Sequence, residues 1–358
     1  MPPRRPHFDA RRPSRFRISG RLLALSGALI LSGALLACAT GPEPAPPRFE
    51  MPAAVPRSEG PGPNWPLSPE VAEHELAVGR IQILSERYAG HGLTGASRVE
   101  IELVDQQKVV AAKWKAMPGD LDGINNAPRK ELASYLVQRL FLDPADYVVP
   151  TSVARCLPAD VFPEPGRPAR PTLRDTRCEL GVLSLWLEHL TTPYEILELE
   201  RFARDREYAE RLADFNLATY LMKHQDGRLG NILVSTPDLP YRIFAVDNGV
   251  AWSGIWYNWF VPNWRHLRVP ALRRVSVDRL RKVKEADLAY LGVVASFVRD
   301  PDGMLAPVEP ERNLDPDKGV RIEGGIVQLG LDDDELGDLF ERIQELIEAV
   351  DAGSIAVF

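Results

Sequence analysis

Two short stretches hold the residues whose types and spacing can do chemistry. His224-Gln-Asp226-Gly-Arg228-Leu-Gly-Asn231 sets an aspartate five residues before an asparagine, and Ala245-Val-Asp247-Asn248-Gly249 adds a second aspartate sixteen residues beyond Asn231. Phosphoryl transfer asks little covalent chemistry of a protein. It needs carboxylates that orient a hydroxyl and oxygen ligands that hold Mg²⁺ against nucleotide phosphates. These stretches offer both. Residues 232–235 and 241–246 read as two strands joined by a turn at 237–240, a hairpin that would bring the two carboxylates to neighbouring strand ends.

Other elements must complete such a site. Two alternating runs, 97–104 and 108–114, flank Asp105-Gln-Gln and predict a β-hairpin. Its second strand ends Ala112-Lys113-Trp114-Lys115. Alternation puts Lys113 and Lys115 on one face, so periodicity does not choose between them, and both can equally be solvated edge charges. Before the hairpin, a helix is expected over 70–90, broken by Gly90-His-Gly92-Leu-Thr-Gly95. Gly92 and Gly95 belong either to an ordinary turn or to a loop whose N–H groups cover phosphates. Pro128 opens a helix with Leu132, Leu136 and Leu140 as its stripe. Glu131 lies in its first turn, where the helix dipole favours a carboxylate in any case. Residues 181–187 predict a buried strand that includes Trp186, and a helix over 208–222 leads into His224. Residues 143–149 and 157–171 read as loop. The aromatic cluster from Trp252 to Trp264 reads as core or cleft wall. A final helix over 332–350 has an acidic start suited to a helix N-terminus.

The chain has 358 residues, 45% hydrophobic and 26% charged, enough for a sizeable core. Its net charge of -7 divides unevenly: residues 1–37 carry seven Arg and one Asp, leaving an acidic remainder. That balance argues against a nucleic-acid partner. Residues 1–37 have the pattern of a signal peptide, with Arg residues before an apolar run at 22–36 that is short for a membrane span. Leu35-Leu36-Ala37-Cys38 resembles a bacterial lipobox, in which Cys38 takes a lipid. Nine prolines fall between Pro42 and Pro66, so 38–69 is expected to be an extended tether. Cys156 and Cys178 remain and could close a disulfide in an oxidising compartment, worth roughly 3 kcal/mol for a loop of about twenty residues.

At Asp226–Asn231 and Val246-Asp247-Asn248-Gly249-Val250-Ala251-Trp252 the chain resembles the phosphatidylinositol 3-/4-kinase branch of the protein-kinase-like superfamily. The type II phosphatidylinositol 4-kinases are the nearest pattern, and secretory-pathway protein kinases share the Asp-Asn-Gly. Trp114-Lys115-Ala116 is similar to the aromatic-Lys-Pro of those families, which favours Lys115 over Lys113. Ala116 departs from the proline, and Gly227 separates Asp226 from Arg228, which the lipid kinases keep adjacent.

The resemblance implies an α+β, two-lobed protein-kinase-like fold, with a small β-rich N-lobe and hinge at 70–187 and a mostly helical C-lobe at 188–358. Lys115, or Lys113, would hold ATP phosphates, with Gly92 and Gly95 over them and Trp186 in the hinge. Glu131 would position the lysine, Asp226 would orient the acceptor hydroxyl, and Asn231 and Asp247 would ligate Mg²⁺ or Mn²⁺. The expected protein is a lipid-anchored kinase of the bacterial envelope, acting on a hydroxyl acceptor, a protein Ser/Thr before a lipid or sugar. The alternatives are an inactive pseudokinase that binds nucleotide or a partner, and an enzyme that transfers AMP.

Overall fold

A computed structural model describes residues 62–88, 95–123, 127–158, 160–162, 170–252 and 263–358. The residues expected to form a signal peptide, Cys38, most of the expected tether, Gly92 and the aromatics Trp256, Tyr257, Trp259 and Phe260 lie outside them. The described part is mixed α+β, with seven α-helices and four small sheets among the described residues. No helix there is long and apolar enough to cross a membrane.

Ser68 caps α1 (Pro69–Ala77) by accepting from the Val71 N–H. The expected helix over 70–90 does not continue. Gly79 ends it, where an added Cβ would lie 2.7 Å from the Glu75 carbonyl oxygen. Ile81–Tyr88 is instead β1, paired antiparallel with β2 (Ser97–Leu103) and bulged between Ile83 and Ser85. Of the apolar residues that suggested one helix, Val71 and Leu76 lie in α1, while Ile81 and Leu84 belong to this strand. In β2 the alternation is strict, and Val99, Ile101 and Leu103 are all buried. β3 (Lys108–Ala116) completes the expected hairpin.

α2 (Pro128–Val137) starts at its proline, and residues 138–140 tighten into a 3₁₀ turn. β4 (Ser152–Pro158), which the sequence reading did not foresee, pairs with β5 (Cys178–Leu185). The first sheet runs β1-β2-β3-β5-β4, antiparallel throughout. Trp114 lies flat over Gly181 on the neighbouring strand, leaving no room there for a Cβ. Cys156 and Cys178 are joined by a disulfide across β4 and β5.

β6 (Leu190–Thr191), α3 (Leu199–Arg204) and α4 (Arg206–Leu221) follow. Asp205 caps α4 through the Tyr208 N–H, and the i,i+4 alanines and leucines are buried as expected. β7 (Ile232–Ser235) and β8 (Ile243–Ala245) form the second hairpin, with β6 on the outer edge of β7. Residues 62–68, at the end of the stretch expected to be tether, are packed here. Trp65 meets Phe244, and the Asn64 side chain donates to the Glu188 carbonyl at 3.0 Å.

Beyond β9 (Ala271–Leu272), α5 (Arg274–Leu280) and α6 (Ala289–Gly292), a four-stranded sheet appears that the sequence reading also missed. It comprises β10 (Ala295–Arg299), β11 (Leu305–Pro307), β12 (Val320–Glu323) and β13 (Ile326–Leu329). Gly324-Gly325, both at positive φ, makes the two-residue turn between β12 and β13. Phe297, Leu305, Val327 and Leu329 share a core with Leu132, Leu180 and Val182, so this sheet packs on the first one. The last helix, α7 (Asp333–Asp351), begins with a capping box between Asp332 and Glu335. Glu335 also pairs with Arg129 and, at 3.3 Å, with Lys130, fixing the start of α2. β14 (Ala356–Val357) runs parallel to β9.

Candidate active site

β3 presents Lys113 and Lys115 on the same face, opposite Ser184 and Val182 of β5. Both ammoniums meet the same two carboxylates. Lys113 Nζ lies 2.5 Å from Glu131 Oε1 and 3.4 Å from Asp247 Oδ1; Lys115 Nζ lies 3.6 Å from Glu131 Oε2 and 3.2 Å from Asp247 Oδ1. The two lysines differ in access: the Lys115 side chain is 1% exposed and that of Lys113 17%. Glu131 is 3% exposed and accepts from the Ser184 hydroxyl at 3.2 Å, which is bonded to Ser152 on β4.

Burial would by itself lower the Lys113 ammonium, but the Glu131 and Asp247 carboxylates outweigh it and hold it above its usual value. Burial would likewise raise Glu131; Lys113 and Lys115 overcome it and hold that carboxyl low. Lys113, with Lys115 behind it, keeps Asp247 well below the carboxylate range against its own desolvation. Lys113, Glu131 and Asp247 are each held in their charged form by these pairings. Asp247 has φ +59°, a left-handed conformation that costs free energy in any residue but glycine.

The hairpin links the remaining expected residues. The Val246 N–H donates to the Asn231 carbonyl at 2.9 Å, extending the β7–β8 ladder and setting Asn231 beside the strand end that carries Asp247. The Asn231 amide N–H donates to the Asp226 carbonyl at 3.3 Å. The buried Asp226 carboxylate accepts two hydrogen bonds from Arg228, at 2.6 and 2.5 Å, while the Arg228 side chain stays 59% exposed. Lys113, Lys115, Glu131 and Asp247 form one ion-paired cluster, and Asn231 and Asp226 are tied to its strand end through the Val246 backbone. Trp186 directly follows β5 and is 40% exposed, with its backbone N–H donating to the Ala111 carbonyl and Arg98 over its ring. Gly95, at φ +70°, leads into β2 with open space beside it.

Mg²⁺ and Mn²⁺ take oxygen donors, and Mg²⁺ is usually held by one or two carboxylates plus substrate phosphates. Asp247 offers a carboxylate. The Asn231 carboxamide uses its nitrogen toward Asp226, which turns its oxygen away from that contact. The Oδ1 of Asn248, next in the chain to Asp247, is buried and has no hydrogen-bond partner among the described residues. The Asp247, Asn231 and Asn248 oxygens are of the donor type that such a cation takes. No group of three or more His, Cys, Asp or Glu among the described residues makes a self-sufficient cage.

Three contributors were not anticipated as site residues. Ser184 orients Glu131; its position opposite Lys113 follows only from the β3–β5 register. Gly249 admits the chain beside Lys115, since an added Cβ would lie 3.0 Å from its Nζ. His224 is buried, and neither ring nitrogen has a hydrogen-bond partner among the described residues. Desolvation pushes its pKa down to about 4, against the pull of Asp226 and Asp247.

The His224 shift has a measurable consequence. The folded chain keeps His224 neutral between its ordinary 6.5 and about 4, while the unfolded chain takes up a proton there. Stability is therefore retained above pH 6.5 and lost as pH falls toward 4, by about 2–3 kcal/mol. Urea unfolding at pH 7.0 and 4.5 should show this loss reduced by that amount in His224→Gln. An equal loss in both proteins contradicts the assignment.

No family model matches this chain, and no curated protein does.

Proposed function

We propose that the protein is a metal-dependent phosphotransferase with a protein-kinase-like, two-lobed fold, moving the γ-phosphoryl group of ATP to a hydroxyl acceptor. One observation carries the reading: β3, α2 and the segment after β8 deliver lysine, glutamate and aspartate to one point, with Lys113 and Lys115 each contacting both Glu131 and Asp247. Active kinases need this lysine–glutamate ion pair beside a metal-binding aspartate. The sheet order β1-β2-β3-β5-β4, with α2 between β3 and β4 in the chain, supports a small lobe built around that pair. The helix-rich part that follows β5 and carries Asp226 and Asn231 would be the second lobe.

Lys113 is the better phosphate ligand, although the family-like Trp114-Lys115 favours its neighbour. It makes the shorter contact with Glu131 and is the more exposed of the two. Asp226 would orient the acceptor hydroxyl once Arg228 yields its oxygens. Asn231 and Asp247 would hold the divalent cation, which when bound neutralises phosphate charge. A protein Ser or Thr is the favoured acceptor. Cys38 would anchor the chain to the bacterial envelope, which calls for exported nucleotide, another phosphoryl donor or a cytoplasmic orientation.

The test is incubation with envelope extract and Mn²⁺ or Mg²⁺, using ATP labelled at the γ- or the α-phosphate. The reading predicts metal-dependent transfer of the γ-label alone. Transfer of the α-label means AMP transfer, and neither label points to a binding module.

A further inference from the structure

One lysine is enough to hold phosphates and pair with glutamate, yet this chain sets two against the same glutamate. Lys115 is the deeper, and an unpaired ammonium at that depth would be strongly disfavoured. Its pairing reaches past Glu131 to Asp247 Oδ1, the same oxygen that Lys113 meets. The carboxylate best placed for a divalent cation is therefore bracketed by two ammoniums, at 3.2 and 3.4 Å. Two lysines against Glu131 and Asp247 leave the cluster with no excess negative charge. Asp226, close by, is neutralised by Arg228.

Resting on the phosphotransfer reading, we infer that Lys115 is a resident counter-cation that bars a free divalent cation from Asp247, so that metal enters only together with nucleotide phosphates. A dication approaching Asp247 alone meets two positive charges a few ångströms away in a partly dry site, where like charges repel strongly. Phosphates change the balance. Lys113 has the exposure to turn toward them, whereas Lys115 stays enclosed by Glu131, Asp247 and the Gly249 backbone. Asp247 then loses one of its two ammoniums as the phosphates bring negative charge of their own. By linkage, metal and nucleotide must each tighten the other's binding by the same factor.

Calorimetric titration of the purified chain with MnCl₂, with and without a saturating non-hydrolysable ATP analogue, tests this. Wild type should show no saturable Mn²⁺ binding alone at millimolar concentration, and at least about 10-fold tighter binding with nucleotide. Lys115→Met should bind Mn²⁺ alone at least about 10-fold more tightly than wild type, and adding Asp247→Asn should remove that gain. Wild type that binds Mn²⁺ equally well with and without nucleotide overturns the inference, as does an unchanged Mn²⁺-only affinity in Lys115→Met. The wild-type arm decides by itself if the variant does not fold. A chain that never binds the analogue overturns the phosphotransfer reading, and the Mn²⁺-only comparison remains a separate result.

Discussion

Asp247→Asn is expected to lower metal-dependent γ-phosphoryl transfer by about 10³-fold or more, the scale seen when a group that stabilises transition-state charge is removed. Asparagine is the informative replacement because it tolerates the left-handed backbone that Asp247 adopts, so the chain path need not change. What disappears is the charge that both lysines face and that a cation would share with Asn231. Asp247 is 44% exposed, so its loss should affect activity far more than stability. Initial rates of label transfer measure the first quantity and thermal unfolding the second. A variant that retains a tenth of the wild-type rate is incompatible with a metal-ligating role.

Glu131→Ala should have the largest effect on folding, about 3–5 kcal/mol of destabilisation, because it removes a buried carboxylate that both Lys113 and the enclosed Lys115 face. Lys115 cannot escape to solvent from where it sits, and Ser184 loses its acceptor. The pH dependence gives a second check. Glu131 is held below its ordinary 4.5, so its contribution is present above that pH and is lost as pH falls through the folded value. The gap between wild type and variant should therefore narrow in acid. Urea unfolding at pH 7 and pH 3.5 measures it; a gap below about 1 kcal/mol at pH 7, the value typical of an exposed pair, contradicts a buried charge cluster.

Much of the site was legible because its signals are local. The β2–β3 hairpin shows strict alternation, α4 repeats its apolar residues at i,i+4, and Asp226, Asn231 and Asp247 lie on one continuous loop and hairpin. What escaped depends on contacts distant in sequence. Periodicity put both lysines on one face; only their distances to Glu131 and their burial separate Lys113 from Lys115. β1 mimicked a helical stripe until Gly79 and the pairing with β2 are considered. The C-terminal sheet has short strands and one clear marker, Gly324-Gly325. The acidic start of α7 was read as a helix N-terminus and is one, but its tie to Arg129 spans two hundred residues and no local pattern announces it.

Anomalous scattering from Mn²⁺, in crystals grown with a non-hydrolysable ATP analogue, tests the central claim most directly. The account predicts a single strong peak bonded to the Asp247 carboxylate and the Asn231 amide oxygen, with the phosphates reaching toward Lys113. Manganese bound elsewhere, or a nucleotide whose phosphates reach neither Lys113 nor Asp247, would contradict it.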